Sequence, residues 1–150
     1  AIFVYTCNQE NSWKAMSSYG VMNAWLAFPE TSIYLEQAGE SVKGRVLDVA
    51  VDIRKGSPTY GKHVAVVLTE DNHRQFFIPK GFAHGFAVLS ETAVFQYKCD
   101  NFYHPEADGG ISILDDSLGI DWRIPTEHAN LSEKDTKHEV LKDFDSPFEY

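Results

Sequence analysis

The stretch of sequence that decides the fold is "RVLDVAVDIR", residues 45–54. Apolar and polar side chains alternate along it. One face carries Leu47, Val49, Val51 and Ile53, and the other carries Asp48, Asp52 and Arg54. A period of two residues is that of a β-strand, in which successive side chains point to opposite faces. The stretch therefore predicts a β-strand.

The residues that follow extend this pattern. "KGSPTYGK" has the glycine, serine and proline of a loop, and "HVAVVL" is a second strand, so Val46 to Leu68 predicts two antiparallel strands. "RQFFIP" predicts a third short strand that ends at Pro79, and "GFAVL" a fourth. Short strands separated by turn signals are typical of an all-β sandwich or barrel.

A fifth strand is predicted over "TAVFQYKC". Its two faces carry Ala93, Phe95, Tyr97 and Cys99 on one side and Gln96 and Lys98 on the other. Near the end of the chain, "LSEKDTKHEVLKDF" predicts a short C-terminal helix, because Ser132 and Asp135 resemble a capping box. An apolar stripe of that helix would contain Val140, Leu141 and Phe144. Residues 11–40 have no clean period of either kind.

Composition limits the class of protein. The 150 residues, 43% hydrophobic and 23% charged, suit one folded domain. A net charge of -9 argues against binding nucleic acid, which needs clustered Lys and Arg, although a small anion could be held locally. No apolar run is long enough to span a membrane. The start, "AIFVYTCNQE", does not resemble a signal peptide and lacks Met, so we expect that the chain begins inside a longer gene product.

Metal and nucleotide motifs are not recognisable. The two cysteines, Cys7 and Cys99, have no paired spacing, which favours a reducing cytoplasm over a disulfide framework or zinc knuckle. None of the six histidines forms an H-x-H pair or an H-E-x-x-H run, so we expect no catalytic metal. G-x-S-x-G, Walker and G-x-G-x-x-G motifs are also missing.

Three residues allow both a structural and a functional interpretation. His84 lies between Gly81 and Gly85, at a hairpin turn or where a ligand approaches the backbone. Tyr97 faces inward on its strand, either packed with one hydrogen-bond partner or active in chemistry. Asp135 could be no more than a carboxylate in the first turn of a helix.

From Val42 to the C-terminus the sequence resembles the dTDP-4-dehydrorhamnose 3,5-epimerase family of cupin-fold enzymes. The strings that carry the resemblance are "KGRVLDVAVDIRKGSPTYGKHVAV", "RQFFIPKGFAHGFAVLSETAVFQYKCDNFYHPEADGGI", "DDSLGIDWRIP" and "LSEKD". The resemblance implies an isomerase that removes a proton next to the ketone of a nucleotide-linked 4-keto sugar, at C3 and at C5, and returns it to the opposite face. The family uses a histidine base steered by an aspartate, a tyrosine acid and a lysine that stabilises the enolate.

The resemblance also assigns roles to individual residues. Tyr97 corresponds to the catalytic acid and Asp135 to the aspartate that orients the base. The substrate-binding positions that it implies are His84, Tyr103 (stacking on the thymine), Asp108 and Lys134, and a looser match of "NQENSWKAMSSYGV" adds Gln9 and Asn11.

The first third of the chain departs from the family. After "SSYGV" the family continues L-R-G-L-H-F, whereas this chain has "MNAWLA", so Leu26 stands in place of the basic histidine and Asn23 in place of a phosphate-binding arginine. The enolate-stabilising lysine corresponds to a position near Gln37. Leucine accepts no proton, so the family's base is missing from this sequence.

Three interpretations of this departure are open. The chain is an active epimerase whose sequence is misread between about Asn11 and Ser41, or a non-catalytic paralogue that binds a sugar nucleotide, or an enzyme that recruits another base, with His84 the nearest candidate. An isolated block of mismatch between well-matched strings favours the first.

Together these observations predict a cupin-type jelly-roll β-barrel or sandwich with a short C-terminal helix, as one epimerase domain over residues 1–150 with the N-terminal part of the full-length protein not included. We expect a cytoplasmic homodimer that acts on dTDP-4-dehydro-6-deoxyglucose in dTDP-rhamnose biosynthesis. The family implies no metal, no organic cofactor, no nucleic acid and no membrane partner.

Overall fold

The computed structural model describes residues 2–8, 37–99, 109–125, 129, 131, 133 and 135–150, and its regular structure is mainly β-sheet. The strands are β1 Ile2–Asn8, β2 Gln37–Lys43, β3 Arg45–Asp52, β4 His63–Thr69, β5 Phe76–Ile78, β6 Phe82–Val88 and β7 Thr92–Cys99. Two single-turn 3-10 helices follow, Asp116–Leu118 and Asp135–Lys137. The all-β prediction is confirmed. In these ranges no helix has the length and apolar character needed to cross a bilayer.

The strands form two antiparallel sheets. Sheet A has the order β1-β7-β2-β5, and sheet B has the order β4-β3-β6. The hairpin predicted from the sequence is present, because Val46 of β3 pairs with Leu68 of β4. The two sheets share a core in which Phe86 of sheet B packs against Phe95 of sheet A, with ring centroids 4.6 Å apart. The result is a sandwich of the predicted jelly-roll type.

Sheet B is covered on both faces. The apolar face of β3 that begins with Leu47 packs against the C-terminal segment, where Ile111 and Trp122 are also buried. The opposite face, which carries Asp48 and Asp52, is buried as well, because it faces sheet A. All residues of β3 except Arg45 are therefore buried.

The predicted C-terminal helix is reduced to the 3-10 turn Asp135–Lys137. Beyond it, Glu139 forms an isolated bridge with Ile111, and the backbone N–H of Ser112 donates to the carbonyl of Glu139 at 2.8 Å. Leu141 and Phe144 of the predicted stripe pack against the core, but from extended and turn backbone. A short isolated helix is marginal in water, so pairing with the 111–112 segment determines the local structure instead.

A single residue, Gly44, connects β2 of sheet A to β3 of sheet B. Its φ of +75° lies in the left-handed region, where glycine has no steric penalty. A Cβ at this position would lie 2.1 Å from the carbonyl oxygen of Thr92. The close approach of the two backbones therefore requires glycine at the crossing between the sheets.

The far end of β3 is fixed by the carboxylate of Asp52. It accepts hydrogen bonds from the Arg54 guanidinium at 2.7 and 2.9 Å and from the hydroxyls of Ser57 and Thr59, both at 2.6 Å. Burial raises the pKa of Asp52, but these hydrogen bonds outweigh burial, and the net result is a pKa well below the ordinary value. The guanidinium in turn lies 4.8 Å from the ring centroid of Tyr150.

Candidate active site

His84 is a strand residue, which corrects the interpretation of "GFAHGF" as a hairpin turn. The turn is made by Gly81, whose φ is +83°, and β6 begins at Phe82. Alternation along β6 places His84 on the same face as Phe86, which belongs to the core between the sheets. Its side chain is 4% exposed. The imidazole therefore lies inside the sandwich.

The partner of His84 is Asp48. Nε2 of His84 lies 2.5 Å from Oδ1 of Asp48, and the Asp48 side chain is 0% exposed. In the β3–β6 ladder, Asp48 is directly opposite Phe86 and His84 is directly opposite Ala50, so the two polar residues are diagonal neighbours on one face. A buried carboxylate that is hydrogen-bonded to an imidazole fixes the orientation of the ring.

The second oxygen of Asp48 lies in apolar surroundings. Among the described residues, Oδ2 has no hydrogen-bond partner. It borders Gly39 of β2, where a Cβ would lie 3.1 Å from Oδ2 and 2.6 Å from Cζ of Phe95. The His84 and Phe95 ring centroids are 6.5 Å apart. A buried acceptor of this kind requires an explanation, and a ligand group is one of the recognised explanations.

The backbone of Tyr97 lies close to this pair. Tyr97 belongs to β7, where its Cα is opposite Gly39 of β2 on one side and Phe3 of β1 on the other. Phe95, two residues earlier on β7, has its side chain in the core between the sheets. The Tyr97 side chain itself is outside the described set. The backbone of Tyr97, the candidate acid, therefore lies on the strand next to Gly39, the residue that borders Asp48.

Asp135 lies on a different segment. It begins the 3-10 turn after the sheets, is 5% exposed, and has Oδ1 4.0 Å from Nε2 of His138. The alternative interpretation as a first-turn carboxylate fits its position in the turn, although the turn is too short for a substantial helix dipole. Its burial is unusual for an ionisable residue.

Several predicted site residues lie outside the described residues. They are Gln9, Asn11, Tyr103, Asp108 and Lys134, together with Asn23 and Leu26 of the divergent stretch. Gln37, near the position of the family's lysine, lies on β2 with its Cα opposite Cys99 of β7. Of the predicted site residues, therefore, the structure describes His84 and Asp135 with their side chains and Tyr97 by its backbone.

Sequence reasoning missed Asp48 as a site residue. Its face of β3 also contains Val46 and Ala50, so this face is not a solvent-facing polar one. A carboxylate flanked by apolar residues on its own face is a signal of a buried partner. That partner was not identifiable from the sequence, because β6 is not the strand that follows β3 in the chain.

One cavity on the opposite face of sheet B, under the C-terminal segment, is too small for a sugar. This cavity, lined by Val49, Gly85, Ile111 and Trp122 among others, has a volume of about 20 Å³. That space suits a single water molecule. No cluster of three or more metal-ligating side chains occurs among the described residues.

Two antiparallel sheets packed face to face, with a histidine–carboxylate pair buried between them, place this protein in the cupin-type class of jelly-roll folds. A solved epimerase of this fold, dTDP-6-deoxy-D-glucose-3,5-epimerase from Legionella pneumophila Philadelphia 1 in complex with dTDP-4-keto-L-rhamnose, superposes with a TM-score of 0.80 at 38% identity over 97% of this chain and 70% of that one. The family model for dTDP-4-dehydrorhamnose 3,5-epimerase matches residues 26–143. The chain belongs to the dTDP-4-dehydrorhamnose 3,5-epimerase family.

Curated relatives agree with this placement. The enzyme of that name from Escherichia coli K12 is 55% identical over 94 residues, which cover 63% of this chain and 50% of the relative. That from Methanothermobacter thermautotrophicus is 47% identical over 103 residues, covering 68% and 56%. The chain thus spans about half the length of the curated relatives that it matches.

Proposed function

We propose that this chain catalyses 3,5-epimerisation of dTDP-4-dehydro-6-deoxyglucose to dTDP-4-dehydrorhamnose, in dTDP-rhamnose biosynthesis. Membership of the epimerase family supports the reaction class. The observation that carries the proposal within this molecule is the buried His84–Asp48 pair, because it places an imidazole and a carboxylate between the sheets, beside the apolar Phe86 and Phe95. The similar Legionella enzyme has been solved with dTDP-4-keto-L-rhamnose, which supports the choice of sugar nucleotide.

The reaction demands two groups on opposite faces of the sugar. A base removes the proton from the carbon next to the ketone, which leaves an enolate, and an acid returns a proton to the other face of that carbon. The sugar loses one proton and gains another, so its charge and oxidation state are unchanged, and exchange with solvent then removes the proton from the base and returns one to the acid. Each positioned proton-transfer group contributes roughly 10²- to 10⁴-fold to the rate.

We assign the acid to Tyr97 and a substrate contact to His84. The backbone position of Tyr97 opposite Gly39, which borders Asp48, supports a pocket shared by these residues. The imidazole of His84, whose Nε2 is held by Asp48, is proposed to contact a sugar hydroxyl or the ketone oxygen. A buried donor aimed at that oxygen would stabilise the developing enolate.

The base is the point at which this sequence departs from its family. Asp135 is assigned as the carboxylate that orients a base, yet Leu26 stands where the family has histidine. The proposal therefore includes either a histidine at position 26 in the natural chain or proton abstraction by His84. A sugar-nucleotide-binding protein without turnover is the alternative interpretation of Leu26.

The nucleotide end of the ligand is assigned to the remaining predicted residues. We propose that Tyr103 stacks on the thymine, that Asp108 and Lys134 contact the ligand nearby, and that Gln9 and Asn11 bind the nucleotide sugar. The family resemblance supports these roles. We further propose one cupin-like domain over residues 1–150 that assembles as a cytoplasmic homodimer.

Deuterium exchange tests the reaction directly. The protein is incubated with dTDP-4-dehydro-6-deoxyglucose in D₂O, and NMR follows label at C3 and C5. An epimerase incorporates deuterium at both carbons. Saturable binding of dTDP without incorporation would replace the enzyme with the binding-protein alternative.

Variants then separate the roles. Tyr97→Phe removes the acid and should lower the rate of deuterium exchange about 10²-fold or more. Tyr60→Phe is the control: it changes a tyrosine that is 36% exposed, and deuterium exchange should proceed at the wild-type rate. Leu26→His should raise exchange if the rest of the site is intact. An unchanged rate in Leu26→His, together with loss of exchange but retained dTDP binding in His84→Asn, would show that the chemistry depends on His84 and not on position 26.

A further inference from the structure

Two of the four arginines of this acidic chain line one surface groove. Arg45, at the start of β3, and Arg123, just after the buried Trp122, lie on its rim. Apolar walls are contributed by Val67, Leu89, Ile124 and Pro125, and the groove encloses about 420 Å³. It lies outside the sandwich, because Val67 and Leu89 pack against the core on the face of sheet B opposite to His84.

The Arg45 side is held in place by the turn between β6 and β7. The backbone N–H of Arg45 donates to the Ser90 hydroxyl at 2.8 Å, and the carbonyl of Arg45 accepts the backbone N–H of Leu89 at 2.9 Å. One guanidinium nitrogen, Nη2, donates to the carbonyl of Leu89 at 3.3 Å. An arginine has five N–H donors, so most of them remain for a ligand.

The Arg123 side is fixed by its neighbours. The indole N–H of Trp122 donates to the carbonyl of Ile113 at 3.3 Å, and Ile124 packs against the core. Arg123 itself has a φ of +59°, an unusual value for a residue with a side chain, and its N–H donates to Oδ1 of Asp121 at 3.0 Å. Backbone held in such a conformation is found preferentially at ligand-binding positions.

The charge of this groove is not neutralised within the described part of the chain. Neither Arg45 nor Arg123 forms an ion pair with a carboxylate there, whereas Arg54 is paired with Asp52 at 2.7 Å. The carboxylate of Asp121 accepts the backbone N–H of Arg123 and forms no ion pair with either guanidinium among the described residues. Two guanidinium groups with no carboxylate partner among the described residues, in a chain with a net charge of -9, favour an anionic ligand.

We propose that this groove binds a phosphate monoester that carries an apolar group. The phosphate is close to a dianion at pH 7, which matches two guanidinium groups, each able to bind its oxygens in a bidentate manner. The apolar walls take the organic group and distinguish such an ester from inorganic phosphate. The site is separate from the sandwich interior, so it does not depend on the proposed epimerase function.

Phenyl phosphate and inorganic phosphate are the probes for this site. Phenyl phosphate should bind the wild-type chain saturably at one equivalent in a calorimetric titration, more tightly than inorganic phosphate. In methyl NMR spectra the signals of Val67 and Ile124 should shift, and that of Val64, exposed elsewhere on β4, should not. Equal affinity for the two probes, or no saturation, would overturn the proposal.

The variants separate binding from folding. Arg45→Ala and Arg123→Gly should each weaken phenyl phosphate binding roughly tenfold or more, because each removes charge-assisted hydrogen bonds. Glycine suits the positive φ at position 123, so Arg123→Gly should melt no lower than the wild type. Arg74→Ala removes an exposed arginine that does not line the groove, so this variant should bind phenyl phosphate with wild-type affinity. If Arg45→Ala unfolds, Arg45→Gln serves instead, and wild-type affinity in the Arg45 and Arg123 variants would refute the site.

Discussion

Oδ1 of Asp48 lies 2.5 Å from Nε2 of His84, although the two residues are 36 positions apart in the chain. Adjacent strands of sheet B bring them together, and neither side chain is more than 4% exposed. Hydrogen bonds between a carboxylate and an imidazole are short and strong, and in a buried site little water competes for either partner. Removal of either partner would leave the other buried without it, so both side chains are needed for a stable fold.

The first prediction concerns Asp48→Asn, which keeps the shape of the side chain and removes its charge. We expect the free energy of unfolding to fall by about 2 kcal/mol, the typical contribution of a hydrogen bond to a charged group. Deuterium exchange into the keto sugar should fall as well, because His84 would lose the group that orients it. Urea denaturation and the exchange assay measure the two effects.

A double-mutant cycle is the control for that prediction. If Asp48 and His84 act as one unit, the combined Asp48→Asn, His84→Asn variant should be less destabilised than the sum of the single variants. Additive effects would show that the two side chains contribute independently and would contradict the proposed pairing.

The second prediction uses the close packing around Gly39. A methyl group at this position would lie 2.6 Å from Cζ of Phe95 and 3.1 Å from Oδ2 of Asp48. Gly39→Ala should therefore destabilise the protein by about 1–3 kcal/mol through overpacking, and thermal unfolding followed by circular dichroism measures it.

Phe95→Leu provides the matching rescue. It shortens the side chain that the new methyl group would meet, so the Gly39→Ala, Phe95→Leu double variant should be no less stable than Phe95→Leu alone. A further loss of stability in the double variant would show that the Asp48 side of the contact, and not the ring, limits the space.

The strands of sheet B could be predicted because their signals are local. Alternation defines β3, and the loop residues that follow define its hairpin with β4, so Val46 and Leu68 were correctly expected on paired strands. The C-terminal helix could not be excluded from local signals. The capping pattern is present in the sequence, but the backbone of Glu139 pairs with Ile111 and Ser112. Local propensity cannot predict such a contact between distant segments.

The candidate site was predictable in its parts but not in its geometry. Resemblance singled out His84, and the glycines around it suggested a turn, whereas the backbone there is an extended strand whose turn lies earlier, at Gly81. Asp48 was visible as a polar residue on a strand, yet its contact with His84 depends on the order of the strands in sheet B. Register between strands that are not consecutive cannot be read from either strand alone.

The third prediction is an acid-dependent loss of stability that originates at Asp52. Because its folded-state pKa lies below the ordinary value, the ionised carboxylate adds stability above the unfolded-state pKa near 4, and this contribution is lost as the pH falls through the folded-state value. Asp52→Asn should lower the free energy of unfolding by about 1–3 kcal/mol at pH 7 and have less effect at pH 2–3. Chemical denaturation across that range measures the difference.

Asp145→Asn is the control for the acid series. Its carboxylate contacts Lys55 at 2.6 Å but is 92% exposed, and exposed pairs contribute little. It should follow the wild-type pH profile. An Asp52→Asn variant with the same acid dependence as the wild type would mean that other carboxylates, such as Asp115, dominate the response.

The fourth prediction compares two glycines that have the same backbone conformation and different surroundings. Gly44 and Gly56 have φ values of +75° and +79°. A Cβ at Gly56 would have no neighbour within 4 Å, whereas one at Gly44 would lie 2.1 Å from the Thr92 carbonyl oxygen. Gly56→Ala should therefore cost only the left-handed strain, about 1–2 kcal/mol. Gly44→Ala should cost about 1–3 kcal/mol more, because backbone cannot move aside as a flexible side chain does. Parallel urea titrations measure both, and equal losses would show that the crossing between the sheets is looser than the 2.1 Å contact requires.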